Sequence, residues 1–540
     1  MTDVNLQPQE PIPNGQEPAL STPMPEDAER VAPAESTAVH KANRKQIRGS
    51  SLLLSGRLIS TGTNFLAQVL IVRYLSTTDY GAWAYALSIA AFLQTFVPLG
   101  LDRATSRFVP IYHEKHEYDK MFGTMLMVFG TIFAVGVLAI TAFFAFPEQL
   151  ARLIHDQQQP VRLVFILIFL APVDALDALM VDLFACFSNA RAIFFRRYVL
   201  APGLKMAVVL LLIFERSGAT LLAYGYLAAS TFGVLFYGWM FLRMLRKRGL
   251  LEKFDLAKLQ LPAKEVLSFT IPLLTSDLVM VTMQLSAAMM LGYFHDVTAV
   301  AFFRVTMPLA LLNRMVMNSF STLYKPAAAR LFARGDYEGI NKLYWQSAVW
   351  IAALTFPVFA ATFSLAKPLT IFLYGNRYAG ASVILALLSL GYYFDAALGN
   401  NGLTLKVLGK IRYIVTINIL VLVGSLGIQY LLIPRYGALG AGIGTAASVI
   451  LYNILKQTGL RLVTGVSLFD KQYAPFYLTL VLGATGLLLV GWFSPPSIYV
   501  VVGLTALVSI AVLAVSRKKL RIAETFPELA KLPLMRLIFA

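Results

Sequence analysis

Apolar runs of about twenty residues recur along the whole chain with short loops between them, and that is the length a bilayer-crossing helix requires. The spacing predicts fourteen such helices, near 49–75, 80–101, 120–146, 161–190, 197–214, 220–245, 265–294, 299–325, 340–366, 378–407, 412–433, 438–462, 473–493 and 497–516. The first, GSSLLLSGRLISTGTNFLAQVLIVRYLS from Gly49 to Ser76, carries polar residues inside it. At 100° per residue Arg57, Ser60, Thr61, Asn64 and Gln68 share one narrow face, while leucine, isoleucine, phenylalanine and valine cover most of the rest. Polar groups at that depth need protein or water around them, so the stripe predicts one wall of a cavity.

Basic residues mark alternate loops. They cluster at Lys41–Arg48, Arg103–Lys120, Arg191–Arg197, Arg243–Lys264, Lys325–Lys342, Lys406–Arg412, Lys456–Lys471 and Arg517–Arg521, and are sparse in the intervening loops. By the positive-inside rule the rich loops and both termini are cytoplasmic. The tail from Met1 to His40, rich in Pro, Glu, Gln and Ser, cannot bury enough surface to fold and reads as a disordered extension. It lacks the layout of a signal peptide, because its basic cluster lies about forty residues in.

The two halves repeat. EYDKM at Glu117–Met121 resembles DYEGI at Asp336–Ile340, and Tyr337 minus Tyr118 gives an offset of 219. The same offset carries Arg191 onto Lys410 and Gly218-Ala219 onto Gly437-Ala438. Two six-helix lobes in the same orientation follow, 49–248 and 265–465. The N-terminal tail is then 1–48, the basic interlobe linker 249–264, partly an amphipathic helix at the interface, the extra helix pair 466–516 and the C-terminal tail 517–540.

Composition agrees: of 540 residues 57% are hydrophobic and 14% charged, against about 25% charged in a soluble domain. The fold class is therefore an all-α polytopic membrane protein. The net charge of +17 sits in short loops, where it reports orientation and not nucleic-acid binding. The one cysteine, Cys186, excludes an intramolecular disulfide framework, and His113, His116, His155 and His295 have no metal-ligand spacing, so no metal and no cofactor are expected. The glycine-rich YGALGAGIGTAAS at Tyr436–Ser448 lacks the preceding soluble strand of a nucleotide site and reads as close helix packing.

Charge inside the membrane is expensive, so each such residue is a candidate for function or for an ion pair. The basic ones are Arg57, Lys205, Arg304 and Arg314; the acidic ones are Asp174, Asp177, Asp182, Asp277 and Asp395. Arg304, Arg314, Asn318 and Lys325 fall within about an 80° arc of the eighth helix and form a second basic stripe. Thr270, Asp277 and Gln284 share a face of the seventh. Asp174 and Asp177 stand one turn apart, which makes them, with Asp277 and Asp395, candidate proton or sodium carriers or else partners for the arginines. Asp182 and Lys205 read as locally paired or snorkelling groups.

SGRLISTGTNFLAQVLIVRYLSTTDYGAWAYALSI, LGLDRATSRFVP, LYGNRYAGAS and LIPRYGALGAGIGTAAS resemble the polysaccharide (O-antigen type) flippases of the multidrug/oligosaccharidyl-lipid/polysaccharide exporter superfamily, over roughly residues 45 to 516. The resemblance implies a flippase for an undecaprenyl-pyrophosphate-linked oligosaccharide in the bacterial cytoplasmic membrane, with two lobes around a cavity that opens alternately to each side. Arg57, Arg304 and Arg314 would then engage the pyrophosphate, and Asn64, Gln68, Gln284, Asn318, Asn400 and Asn401 would line the cavity around the sugar. Membrane lipids, a polysaccharide polymerase and other glycan-assembly proteins are the partners to expect. A lipid II flippase and a cation-coupled drug exporter of the same superfamily are the competing functions. A membrane polymerase or ligase fits less well, since the longest outward loop, about Pro147 to Pro160, is short.

Overall fold

The computed structural model describes residues 53, 55–148, 158–187, 189–464, 470–493 and 497–517. The predicted tail 1–48, His155 and most of the predicted C-terminal tail 517–540 lie outside the described residues. Among the described residues there is no strand. Ten helical stretches among the described residues are long and apolar enough to cross a membrane. The protein is a multi-pass helical membrane protein.

In the first lobe, α1 (55–74) and α2 (Thr77–Phe96) lead through a left-handed turn at Leu99 and Gly100 into α3 (Asp102–Glu114). The sequence reading placed α3 in a basic loop. It is amphipathic, burying Ala104, Thr105, Val109 and Tyr112 while its arginines face outward, a pattern the search for twenty-residue apolar runs passes over. Next come α4 (Tyr118–Ala145), α5 (Gln158–Leu167), α6 (Leu170–Cys186), α7 (Ala201–Phe214) and α8 (Ala219–Lys247). A π-helical turn, Phe194–Leu200, runs directly into α7, so the membrane helix begins earlier than predicted and contains Arg196.

The second lobe begins with α9 (Ala263–Phe294) and α10 (Val297–Leu311), then a 3₁₀ turn at Leu312–Arg314 and α11 (Met315–Ala333). Pro308 inside α10 has no N–H for the Arg304 carbonyl four residues back, and the helix tightens one turn later. α12 (Tyr337–Phe359), α13 (Ala366–Tyr374), α14 (Ala381–Ala397) and α15 (Asn401–Val407) follow. The long α16 (Ile411–Thr464) reverses at Gly437, whose φ of 54° only glycine adopts freely. Its arms pack antiparallel, with the Tyr452 hydroxyl 2.6 Å from Asn418 Oδ1 and the Tyr413 hydroxyl 2.7 Å from the Leu455 carbonyl. The extra pair is α17 (Ala474–Phe493) and α18 (Ile498–Val515).

Elements start at matching places in the two halves: Tyr118 opens α4 and Tyr337 opens α12, while Gly218 precedes α8 and Gly437 precedes the second arm of α16. The interlobe linker departs from expectation. It forms two three-residue 3₁₀ turns, Leu251–Lys253 and Leu256–Lys258, and no amphipathic helix. It is strapped to α4 instead: a Cβ at Gly123 would overlap the Gln260 carbonyl, Lys253 Nζ lies 2.9 Å from the Tyr118 hydroxyl and Phe254 packs on Phe122. These tertiary contacts outweigh any local helical preference.

One apolar cluster joins the lobes at the end where α1 meets α2. It includes Ile71, Tyr80 and Trp83 from the first lobe and Leu291, Val300, Phe303 and Tyr378 from the second. Helices approach closely there, since a Cβ at Gly81 would overlap the Val297 carbonyl and one at Gly292 would overlap the Tyr85 ring. At the opposite end each lobe has its own core, around Leu101, Phe184 and Tyr237 in the first and Tyr324, Tyr344 and Trp345 in the second. The lobes therefore share one core at the end predicted to face outward; at the other, α9 still packs on α3, with the Tyr112 hydroxyl 2.8 Å from Glu265 Oε2 and Phe269 edge-on to Phe108, while α1 and α11 line opposite sides of a chamber.

The glycine-rich stretch does serve close packing: a Cβ at Gly440 would overlap the Leu432 carbonyl, whereas around Gly427 on the same hairpin there is open space. Gly440→Leu should therefore destabilise the purified protein by about 2 kcal/mol through overpacking. Gly427→Leu should be close to neutral. Thermal unfolding in detergent reads both, and equal melting temperatures for the two variants would contradict this packing.

Candidate functional site

The polar faces of α1, α9 and α10 meet in the space between the lobes. A cavity of about 430 Å³ is lined by Gln68, Tyr80 and Trp83 from the first lobe and by Gln284, Arg304, Arg314 and Tyr392 from the second. Gln68 is held by a 2.6 Å hydrogen bond from its Nε2 to the Tyr80 hydroxyl. Towards the open end a second chamber of about 570 Å³ takes Arg57 and Thr61 from α1 and Asn318 and Ser319 from α11. It shares Pro308 and Leu311 with the first, so the two chambers form one path. Apart from Thr322 its other walls, which include Leu58, Leu312, Met315 and Leu323, are apolar.

Six of the predicted cavity residues thus come together: Arg57, Gln68, Gln284, Arg304, Arg314 and Asn318. Asn64 is exposed on the same helix and bonds Ser60 at 3.2 Å. Asn400 and Asn401 are corrected. Both are buried inside the second lobe, where Asn400 Oδ1 accepts from Ser321 at 2.6 Å and Asn401 bonds Asn453 at 3.3 Å. The break between α14 and α15, with Gly399 at φ 66°, turns them away from the cavity and into the packing.

Arg314 and Arg304 differ in what answers them. Arg314 Nε lies 2.8 Å from Asp395 Oδ2, and Lys456 Nζ is 3.8 Å from the other carboxylate oxygen. Lys456 also sits 3.7 Å above the Tyr452 ring. Arg304 has no carboxylate within ion-pair distance among the described residues; its neighbours are Tyr80, Tyr392 and the cavity. Among the described residues Arg57 likewise lacks a carboxylate partner. Among the described residues along this path the cations Arg57, Arg304, Arg314 and Lys456 face one carboxylate, Asp395, so the described lining is electropositive.

A family model for polysaccharide biosynthesis proteins matches residues 47–332. The chain belongs to this family. No curated protein sequence matches it. Among solved structures, the lipid II flippase MurJ in an inward closed conformation superposes with a TM-score of 0.69 at 14% identity, covering 88% of this chain and 99% of that one. A multidrug resistance MATE family transporter of the MOP superfamily, in an inward-facing conformation, gives 0.62 at 15% identity, with 76% and 96% covered. These likenesses place the fold among the MOP transporters.

In this polysaccharide biosynthesis family member the aspartates of α6 do not face the central cavity. Asp174 and Asp177 line a small separate chamber of about 40 Å³ with Arg196, Lys205 and Ser230. Arg196 Nη2 lies 2.7 Å from Asp177 Oδ1, and its Nε donates to the Gly233 carbonyl at 3.2 Å. Glycine at 233 is what lets the guanidinium lie against α8, since a Cβ there would overlap it. The chamber carries two cations and two carboxylates and holds at most a few waters. Asp182 lies towards α3, near Asp102. The side chain of Asp277 lies outside the described residues.

Two residues of these clusters, Arg196 and Lys456, were read from sequence as cytoplasmic loop charges. Both stand at the margin of basic clusters, but each is embedded in apolar sequence, FFRRYVL and ILYNILKQ, which is the signal that could have moved them inside. Arg196 is 3% exposed, and its removal would leave Asp177 without its counter-charge. Arg196→Met should therefore cost about 3 kcal/mol of stability, and Arg196→Met with Asp177→Asn should recover most of it. Thermal unfolding of the purified variants decides, and a double variant no more stable than the single would remove the ion-pair account.

Proposed function

We propose that the protein is a flippase that moves an undecaprenyl-pyrophosphate-linked oligosaccharide across the bacterial cytoplasmic membrane by alternating access, without covalent chemistry and with both termini in the cytoplasm. The observation that carries the reading is Arg304, a guanidinium on the wall of an interlobe cavity with no carboxylate to neutralise it among the described residues. A buried cation is retained without a counter-ion where an anion visits. A pyrophosphate suits two guanidiniums, and Arg314 lines the same chamber. Gln68 and Gln284 supply the neutral donors and acceptors that sugar hydroxyls need. The mouth chamber, with Arg57 beside Leu58, Leu312, Met315 and Leu323, matches the junction between a charged headgroup and a hydrocarbon tail.

Membership of the polysaccharide biosynthesis family supports the transport of a glycan carrier over that of a drug. Coupling to protons or sodium finds its candidates in Asp174, Asp177 and Asp395, and all three stand beside arginine or lysine. This arrangement favours them as counter-ions over free ion carriers. Polymerase and other glycan-assembly proteins remain the partners proposed for the product.

In proteoliposomes loaded with a labelled lipid-linked oligosaccharide, Arg304→Ala should slow translocation at least about tenfold through loss of charge-assisted hydrogen bonds. Arg304→Lys should fall between the two. Lipid II and a cationic dye, offered in parallel, should move poorly. Wild-type rates for Arg304→Ala, or transport of the dye in preference to the glycan lipid, would overturn the assignment.

A further inference from the structure

The closed end of the molecule holds a pair of reciprocal contacts that the substrate reading does not use. Arg73, at the end of α1, donates from Nε to the Leu373 carbonyl at 2.8 Å and from Nη2 to the Phe372 carbonyl. Both carbonyls belong to the last turn of α13, in the other lobe. Arg377, just beyond α13, donates from Nη2 to the Arg73 carbonyl at 2.8 Å and to the Val72 carbonyl. Those belong to the last turn of α1.

The last four carbonyls of any helix lack partners within it, and the helix dipole places partial negative charge there. Here each lobe supplies the cation that caps a helix of the other. α13 ends at Gly375, with φ 90°, and the chain turns back at once to bring Arg377 to α1. Behind the arginines lies the apolar seam, where Tyr80 and Phe302 both pack edge-on to Tyr378. Parting the lobes at this end must break all four hydrogen bonds together and uncap both helices.

We infer that Arg73 and Arg377 form a latch across the lobes that holds this end shut, so that the balance between the closed form seen here and a form open on this side depends on them. Both side chains are exposed, so water competes for each bond and the latch is weak enough to open in a transport cycle. A single deeply buried ion pair would not serve as well. The inference requires no particular substrate and stands apart from the assignment of the cavity.

The latch is tested with a reporter cysteine at Leu87, which lines the central cavity, introduced after Cys186→Ser removes the one native cysteine. Labelling is measured without substrate, in oriented vesicles, with a membrane-impermeant maleimide applied to either side. Arg73→Gln or Arg377→Gln should raise the labelling rate from the latch side about threefold, and both together about tenfold, while labelling from the mouth side stays level or falls. Arg73→Lys and Arg377→Lys, which keep the charge but lose the fork, should move the rate in the same direction by less. They serve if the glutamine variants fail to accumulate. Unchanged labelling from the latch side would overturn the latch, and so would an equal rise from both sides, which would signal loosened packing.

Discussion

A guanidinium cannot be left unanswered inside a membrane protein, and the architecture follows from the ways in which this chain answers its arginines. Arg196 has a carboxylate of its own. Arg314 shares one with Lys456. Arg73 and Arg377 take helix-end carbonyls across the lobe boundary. Arg304 and Arg57 take the cavity. These differ in how readily they can be undone, from a sealed ion pair to a group facing open space, and the proposed function draws on the latter.

Helices open at matching places in the two lobes, yet the lobes distribute their charges differently. In the first lobe the polar interior balances within a chamber too small for a sugar. In the second, Pro308 and the 3₁₀ turn after it carry Arg304 and Arg314 to the interlobe space, and a surplus of positive charge results.

Much of this was legible in the chain. Arg57, Gln68, Arg304 and Arg314 stood out because helical periodicity is strict and they lie on polar stripes of otherwise apolar helices. The break near Gly437 followed from the limits of the apolar runs, and the close packing of its hairpin from glycine spacing. Other parts were hidden for physical reasons. A count of loop charges treats the basic residues near a helix end alike, so it could not separate Arg196 and Lys456, which the continuing helices carry inward, from neighbours that reach water. Asn400 and Asn401 looked like sugar ligands because their side chains are polar, but a break in the helix decides which way they point. Arg73 and Arg377 lay in sparsely charged loops and owe their role to a partner about three hundred residues away, which no local pattern encodes.

The contact of Gly81 with the Val297 carbonyl, and of Gly292 with Tyr85, bears on a hazard that every large-cavity transporter faces. A wide passage through a membrane would leak ions if its far end admitted even a thread of water. Side chains with several rotamers leave such threads as they fluctuate. Backbone resting on backbone has no rotamers to sample, and dispersion contacts fall away steeply with any gap. Gly81 therefore gives the sealed end a sharp choice between tight and open, Gly292 lets the Tyr85 ring press on a bare helix backbone, and the closeness of the seal rests on the absence of two side chains.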